Sequence, residues 1–423
     1  MPGVRFKRWV LVVGIGIICL LLFFVLAFGR LILLFTDYIG KQAINLFNLS
    51  IAEYSPKLVI ELILFFTGVI FLALGSRQLY NFLVDTFIPE HKGRIAHFLI
   101  KKSQLRVGSN IVVIGGGTGL NSILRGLKNY TNNITAIVSV ADEGGSSRRL
   151  RTEFGILPPG DIRNCLVALS DAGPELGKLL DYRFKEGSGL KGHSFGNLFI
   201  TALQRIEGRF DKALEEVSKI LAIRGKVLPV TLKPIHLCAE LENGKMIETE
   251  PEVEIHKTRY NSEIKKLFLK PKAEAFPAAV KAIKDADIIV LGPGSLYTSI
   301  LPNLLVRGIV SAIKDSGAKK VYVCNVMTQP GETDNYSASD HIDKIVKYLG
   351  GNVLDYIVLN KALAPENIYE KYKKTGARRV KIDEDCMLER FNAWVIKEDL
   401  MTKQDLLRHD PDKLARTVLG LHK

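Results

Sequence analysis

The stretch Ile111-Val112-Val113-Ile114-Gly115-Gly116-Gly117-Thr118-Gly119-Leu120 decides the fold of this chain. Its apolar run predicts a buried strand, and the residues that follow predict an amphipathic helix. A strand that leads through a glycine-rich turn into a helix brings backbone N–H groups against a phosphate. Leu120 stands where a third glycine would complete the G-x-G-x-x-G fingerprint. We interpret the stretch as the first turn of a nucleotide-binding domain; a tight turn without a ligand is the alternative.

Strand-like runs alternate with helical segments from Asn110 onward, and this alternation predicts an α/β fold. We expect a Rossmann-like, doubly wound, mostly parallel sheet within a domain of residues 109–423. A small antiparallel hairpin insertion is predicted between Leu228 and Glu254, where Asn243-Gly244 separates two strand-like runs. The strand-like runs of the main sheet are 111–114, 134–140, 288–291, 321–326 and 356–359. A closing α/β segment, with a helix near 411–421, completes the domain.

Two long apolar stretches precede this domain. Between Trp9 and Phe35 the only charged residue is Arg30, and between Leu58 and Gly75 it is Glu61. Each stretch is long enough to cross a bilayer as a helix. The sequence therefore predicts a membrane anchor at 1–78 with two transmembrane helices, about 9–35 and 58–78, followed by a basic juxtamembrane linker at 79–108.

The charge distribution predicts the topology of this anchor. The chain carries 58 Lys and Arg against 44 Asp and Glu, a net charge of +14. Basic residues flank the two apolar stretches on their outer ends, so both termini and the main domain are expected in the cytoplasm, at the plasma membrane. The five cysteines show no C-x-x-C spacing, which fits a reduced compartment. Membrane topology and attraction to lipid headgroups explain much of the net positive charge, so no nucleic-acid partner is predicted.

The second predicted strand ends in Ala141-Asp142-Glu143-Gly144-Gly145-Ser146-Ser147-Arg148-Arg149-Leu150-Arg151. An acidic residue at this place holds a ribose hydroxyl in nucleotide-binding folds, and a carboxylate pair can equally hold Mg²⁺, so Asp142 is the first candidate. Gly145, Ser146 and Ser147 offer N–H groups and hydroxyls, and Arg151 with its neighbours can pair with phosphate. A solvated basic loop is the alternative.

Two further polar segments are candidates for the same site. Pro158-Pro159-Gly160-Asp161-Ile162-Arg163-Asn164 predicts a rigid loop that enters a helix, with Asp161 at the cap and Asn164 one turn later. Gly192-His193-Ser194-Phe195-Gly196-Asn197 matches G-x-S-x-G, but the polar, glycine-rich residues before it cannot form the strand that a nucleophile elbow needs. We predict instead a helix from Phe195 to Gln204, capped by Ser194, with His193 and Asn197 directed at a polar ligand.

A second glycine turn follows the strand at 288–291 and reads Gly292-Pro293-Gly294-Ser295-Leu296-Tyr297. Ligands of open α/β sheets bind beyond the carboxyl ends of strands, so this turn and the first are expected to face one crevice. Tyr297 could stack on a base; a buried tyrosine with a bonded hydroxyl is the alternative. Asn325 and Thr328 follow the next strand and are expected to line the same crevice. Asp340-His341 predicts a helix start.

Six runs of the chain together resemble the gluconeogenesis factor family, the YvcK-like branch of the CofD-like superfamily. The resemblance covers about residues 110–360 in consistent order, and it implies a Rossmann-like domain whose cleft binds a nucleotide or nucleotide sugar. It further implies UDP-sugar binding, with UDP-N-acetylglucosamine as an example, and a role in cell shape and wall synthesis during gluconeogenic growth. The related branch contains the Mg²⁺-using 2-phospho-L-lactate transferases. The runs are 115–120, 138–151, 158–169, 192–197, 291–302 and 325–333.

The chain departs from the family pattern at three places. The family commonly shows Asp-Asp where this chain has Asp142-Glu143, and a glycine where it has Arg148, which leaves the use of magnesium open. The two predicted membrane helices lie outside the common soluble form of the family. They suggest a variant held at the membrane, where lipid-linked wall precursors are made.

Three functional hypotheses follow. The leading one is a membrane-anchored regulator that binds a UDP-sugar without turnover, because these loops lack a convincing pair of nucleophile and general base. The alternative is a Mg²⁺-dependent transferase of the 2-phospho-L-lactate type, in which Asp142 and Asp161 hold the metal and the arginines bind the diphosphate. An NAD(P)-dependent oxidoreductase is weaker, since the third glycine is missing. A homo-oligomer and protein partners in wall synthesis are left open.

Overall fold

The computed structural model describes residues 2–40, 51–87, 105, 108–402 and 407–421, in two compact units, Met1–Lys102 and Ser103–Lys423. The first unit contains helices α1 (Pro2–Gly40) and α2 (Ile51–Phe87). Both are long and apolar enough to cross a membrane, with mean hydropathy 3.1 over Trp9–Leu26 and 1.5 over Ile63–Phe82. Each helix extends beyond the predicted span. Most of the loop between them and of the predicted 79–108 linker lies outside the described residues.

Helices α1 and α2 approach each other closely at glycine residues. A β-carbon added to Gly16 would lie 2.8 Å from the amide nitrogen of Leu72, and one on Gly68 would lie 3.2 Å from the carbonyl oxygen of Gly16. Backbones can come this near only where a helix carries no side chain, as in the small-residue interfaces of membrane helices. The pair therefore forms a tightly packed helical hairpin, whose outer faces are largely apolar and exposed.

The second unit alternates strands and helices along most of its length. Its strands are β1 (Ile111–Gly115), β2 (Ile134–Val138), β3 (Lys226–Pro229), β4 (His236–Leu241), β5 (Met246–Ile247), β6 (Ile264–Lys270), β7 (Ile288–Leu291), β8 (Lys319–Val323), β9 (Tyr356–Asn360) and β10 (Trp394–Glu398). Its helices are α3 (Gly117–Leu127), α4 (Gly145–Phe154), α5 (Gly160–Leu169), α6 (Pro174–Asp181), α7 (Phe195–Glu207), α8 (Phe210–Ile220), α9 (Glu250–Glu254), α10 (His256–Tyr260), α11 (Pro277–Lys284), α12 (Leu301–Leu304), α13 (Ile309–Asp315), α14 (Ala338–Leu349), α15 (Glu366–Lys374), α16 (Glu384–Arg390) and α17 (Pro411–Gly420), with one π-helical turn at Leu296–Ile300.

Seven strands form one parallel sheet in the order β10-β9-β8-β7-β1-β2-β3. The chain builds outward from β1 to β3, returns to the other side of β1 with β7, and continues to β10. This reversal between β1 and β7 is the topological switch point of a doubly wound sheet. All five residues of β1 are buried, as expected for a central parallel strand covered by helices on both faces. The predicted α/β class and parallel sheet are confirmed.

The small antiparallel sheet has the order β5-β4-β6, so it contains one strand more than the predicted hairpin. The turn at Asn243-Gly244 joins β4 to β5 as predicted. The insertion begins later than predicted, because Leu228 and Pro229 still pair with β2 in the main sheet. The predicted strands 134–140 and 321–326 were also too long, since β2 ends at Val138 and β8 at Val323.

Candidate functional site

Both glycine turns lie at the switch point, and they touch each other. A β-carbon on Gly119 would lie 2.4 Å from the carbonyl oxygen of Pro293 and 2.5 Å from the Cα of Gly294. Asn325 ties the second turn to β8: its Oδ1 accepts from the Gly294 N–H at 3.1 Å, and its Nδ2 donates to the Gly294 carbonyl at 2.8 Å. The prediction that these turns face one crevice is consistent with this packing.

The carboxylate of Asp161 lies against the first glycine turn. A β-carbon on Gly116 would meet Asp161 Oδ2 at 2.6 Å, and the Gly117 N–H donates to this carboxylate. The prediction of Asp161 as a helix cap was wrong: Pro159 is the N-cap of α5, and Asp161 follows within the first helical turn. Its side chain therefore accepts a hydrogen bond from the N-terminus of α3 instead of from its own helix. Burial, and then the charge on Asp142, raises the pKa of Asp161.

Asp142 and Glu250 complete an acidic cluster with Asp161. Asp142 Oδ1 accepts from the Gly144 N–H at 2.8 Å, and a β-carbon on Gly160 would lie 2.6 Å from Asp142 Oδ2. Burial first, then the charge of Asp142, raises the pKa of Glu250 to about 8. Glu250 comes from the insertion, in the first turn of α9, where no sequence motif marked it. Among the described residues, no group of three or more His, Cys, Asp or Glu side chains is arranged to hold a metal ion.

Residues 145–154 form α4 rather than a loop, with Gly144 as its N-cap. Gly145 faces open space at this helix end, since a β-carbon there would meet nothing within 4 Å. Ser147 Oγ accepts from the Gly160 N–H at 3.2 Å and so joins α4 to α5. Arg151 contacts two side chains: its Nη2 lies 3.0 Å from His236 Nε2, and its Nη1 lies 3.6 Å from Glu143 Oε1. The described contacts of Arg151 are thus a histidine and a carboxylate.

A buried polar network connects α4 with α7. His193 Nδ1 lies 2.9 Å from Ser146 Oγ, and Asn197 Nδ2 donates to the same hydroxyl at 3.0 Å. Ser194 caps α7 as predicted, because its side chain accepts from the Asn197 N–H. Burial, followed by the charge of Arg149, lowers the pKa of His193. The structure therefore places two of the predicted ligand-facing residues, His193 and Asn197, in contact with Ser146.

Arg163 extends this network and was missed by sequence reasoning. Its Nη1 donates to Ser194 Oγ at 2.5 Å, and its Nη2 donates to Asn164 Oδ1 at 2.6 Å. A β-carbon on Gly196 would come within 2.7 Å of the Arg163 side chain, so the glycine at this position makes room for the arginine. Asn164 is thereby fixed by its neighbour. The signal available in the sequence was the glycine of G-x-S-x-G, which provides space for a cation instead of a nucleophile elbow.

Tyr297 is buried, with 1% of its surface exposed, and its hydroxyl lies 2.8 Å from that of Tyr336. The expectation that it stacks on a base was wrong, since packing leaves no free ring face. Glu332 Oε1 holds the turn instead, accepting from the N–H groups of Tyr297 at 2.6 Å and Thr298 at 3.2 Å. Thr328 is also buried, and its hydroxyl accepts from the Arg378 N–H at 2.9 Å. Ser295 Oγ donates to Gln329 at 2.6 Å.

The buried Glu332 carboxyl makes stability depend on pH. Burial raises its pKa to about 8, so the folded chain binds a proton at Glu332 that the unfolded chain releases near pH 4.5. Stability therefore falls as pH rises between about 4.5 and 8. The variant Glu332→Gln keeps the carbonyl acceptor. At pH 5 we expect its free energy of unfolding to be close to that of the native chain, and at pH 9 to be higher by roughly 2 kcal/mol or more.

Urea unfolding of both proteins at the two pH values measures this effect. Glu186→Gln, at an exposed residue, is the matched control and should leave the pH dependence unchanged. Equal stabilities of Glu332→Gln and the native chain at pH 9 would show that the carboxyl is not held neutral by burial.

The fold and site define a class: an α/β domain of the CofD type. The family model described as 2-phospho-L-lactate transferase CofD matches residues 111–401. A Clostridium acetobutylicum protein named "Putative gluconeogenesis factor" is 42% identical over 99% of this chain and 90% of its own length. The Bacillus subtilis "Gluconeogenesis factor" is 46% identical over 74% of this chain and 98% of that protein.

A crystal structure of a UPF0052 family protein (BH3568) from Bacillus halodurans superposes with a TM-score of 0.70 at 46% identity, covering 74% of this chain and 99% of that one. Together, these matches show that this chain belongs to the gluconeogenesis factor family. The family resemblance inferred from the six sequence runs is confirmed.

Proposed function

We propose that this chain is a membrane-anchored regulatory protein that binds a nucleotide sugar, with a UDP-sugar favoured. One observation carries the proposal: two glycine turns pack against each other at the switch point of a parallel sheet, with an acidic residue in the loop that follows β2. This is where doubly wound sheets receive nucleotides, and an acid after the second strand bonds a ribose hydroxyl. Asp142 has that position.

The chemistry of the crevice suits a ligand rich in hydroxyls. Asp142, Asp161 and Glu250 provide acceptors, and the raised pKa values of Asp161 and Glu250 let a protonated carboxyl donate as well. Carboxylates repel a bare diphosphate, so we expect the phosphates at the N-terminus of α4, where the backbone around Gly145 is open. The sugar hydroxyls are then available to the acidic cluster.

Magnesium would fit such an arrangement. Mg²⁺ in phosphate-handling sites is commonly bound by one or two carboxylates together with phosphate oxygens, and the charge of Asp142 lies close enough to raise the pKa of Asp161. These two residues would hold the ion, which would neutralise part of the diphosphate charge.

The proposal includes the location of the protein. The two apolar helices are expected to span the plasma membrane with both termini in the cytoplasm, as the flanking basic residues predict. The family name and the resemblance connect the chain with gluconeogenic growth, and we propose a role in cell shape and wall synthesis there. A regulator of this kind would report the supply of wall precursors beside the membrane.

Titration of the detergent-solubilised full chain with UDP-N-acetylglucosamine tests the proposal. We expect saturable binding that UDP competes for and GDP does not. Asp142→Asn should weaken it by about 10- to 100-fold, because a hydrogen bond to a charged group contributes about 1.5–3 kcal/mol. Asp315→Asn, at an exposed residue at the end of α13, should not change the affinity. Absence of saturable binding would refute UDP-sugar recognition.

The alternative function is a Mg²⁺-dependent transferase of the 2-phospho-L-lactate type. The observation that favours it is the CofD model match, which spans both glycine turns and the acidic cluster. Product formation from a deazaflavin acceptor would support the transferase, and binding of the UDP-sugar without any product would support the regulator.

A further inference from the structure

Residues 371–381, which run from the last turn of α15 toward α16, carry a dense run of positive charge. Six of these eleven residues are Lys or Arg, and none is Asp or Glu. Lys371, Lys374, Arg378 and Lys381 are exposed. Lys373 pairs with Glu370 at 3.0 Å. Within the described ranges, no carboxylate lies within ion-pair distance of the other cations in this run.

The run belongs to a small substructure with its own core. Val326, Ile368, Met401 and Leu407 form a hydrophobic cluster separate from the main core, and α15 lies over it. Arg379 Nη2 donates to the Lys361 carbonyl at 2.8 Å, which joins the run to the loop before α15. Leu363 in that loop is 79% exposed. We call the exposed side chains of Lys371, Lys374, Arg378, Lys381 and Leu363 the basic face.

We propose that the basic face docks on the anionic headgroups of a lipid bilayer. Exposed cations, with an exposed leucine in the adjoining loop, match a negatively charged surface that overlies an apolar layer. Each surface Lys or Arg adds about 1 kcal/mol of attraction to such a surface. Twenty-three residues separate Phe87 from Ile111, and a chain of that length spans at most roughly 85 Å.

This docking rests on the proposed membrane location only for its setting, because the basic face can bind lipid without the anchor. The match to the crystal structure of BH3568 covers 99% of that chain and 74% of this one, so we expect the second unit to fold without the first. We therefore test residues 103–423 by co-sedimentation with vesicles of phosphatidylcholine alone or with 30% phosphatidylglycerol. If the two apolar helices do not anchor the chain in a membrane, the vesicle result for residues 103–423 is unaffected.

We expect binding to the anionic vesicles only, and its loss at 0.5 M salt through charge screening. The triple variant Lys371→Gln, Lys374→Gln, Arg378→Gln should bind on the order of 100-fold more weakly. The control Lys272→Gln, Lys284→Gln, Lys319→Gln removes the same charge from exposed lysines elsewhere and should bind almost as the native unit does.

A second arm uses the full chain in lipid nanodiscs of the two compositions. Amine-reactive labelling of Lys371 and Lys374 should fall several-fold with phosphatidylglycerol, while labelling of Lys272 stays constant. Equal binding to both vesicle types, or equal weakening by both triple variants, would overturn the proposal. So would tighter binding to an acidic polypeptide or to single-stranded DNA than to the anionic vesicles.

Discussion

Replacing Gly126 by valine is expected to destabilise the second unit by about 4 kcal/mol or more. A β-carbon at Gly126 would lie 1.8 Å from the carbonyl oxygen of Pro411 and 2.9 Å from the β-carbon of Ala415, where α17 packs on α3. The obstacle is backbone, which cannot turn aside as a side chain can. Overpacking of a closed interface costs about 1–3 kcal/mol, and direct backbone conflict belongs to the rare larger effects.

Urea unfolding measures this effect, with Gly177→Ala as the matched control. Gly177 also lies inside a helix, α6, but a β-carbon there would meet only Val167, at 3.9 Å. Alanine should therefore stabilise α6 by up to about 1 kcal/mol, the helix propensity gained over glycine. Gly126→Val is therefore expected to lower the free energy of unfolding, and Gly177→Ala to raise it. A native-like unfolding midpoint for Gly126→Val would show that α17 does not pack closely on α3.

The second large effect is expected at Gly119, on ligand binding. Alanine would place a β-carbon 2.4 Å from the Pro293 carbonyl oxygen, so the two glycine turns must move apart. A binding site loses its hydrogen bonds when its elements shift by more than about 0.5 Å. We expect the affinity for UDP-N-acetylglucosamine to fall on the order of 100-fold, while the far-UV circular dichroism stays native-like.

Calorimetric titration of Gly119→Ala checks this expectation. Gly420→Ala serves as control, because a β-carbon at Gly420 in α17 would meet nothing within 4 Å. An unchanged affinity in Gly119→Ala, with saturable binding retained, would place the ligand away from the switch point. Loss of binding in both variants would indicate damage to the domain as a whole.

The sequence alone was sufficient to predict the features that depend on a local pattern of residues. The run Ile111-Val112-Val113-Ile114 predicts a buried strand because it is apolar on both faces, and β1 has that environment. Ser194 was predicted as a cap because a serine side chain reaches an N–H three residues later. The edge strands β3 and β10 were missed, since a short strand ending in Pro229 and a strand beginning with an exposed Trp394 carry a weak apolar signal.

Tertiary structure decided which polar residues meet. Glu250 reaches the acidic cluster from an insertion more than a hundred residues beyond Asp142, and Arg163 reaches Ser194 across two helices. Asp161 bonds the N-terminus of α3 instead of capping α5 for the same reason: the Gly117 N–H that donates to its carboxylate belongs to a segment far away in the sequence. The sequence by itself determined the strand, the glycine turn, the apolar helices and the family. Only folding decided the acidic character of the crevice, because carboxylates acquire shifted pKa values through burial and through neighbours that the chain brings from far away.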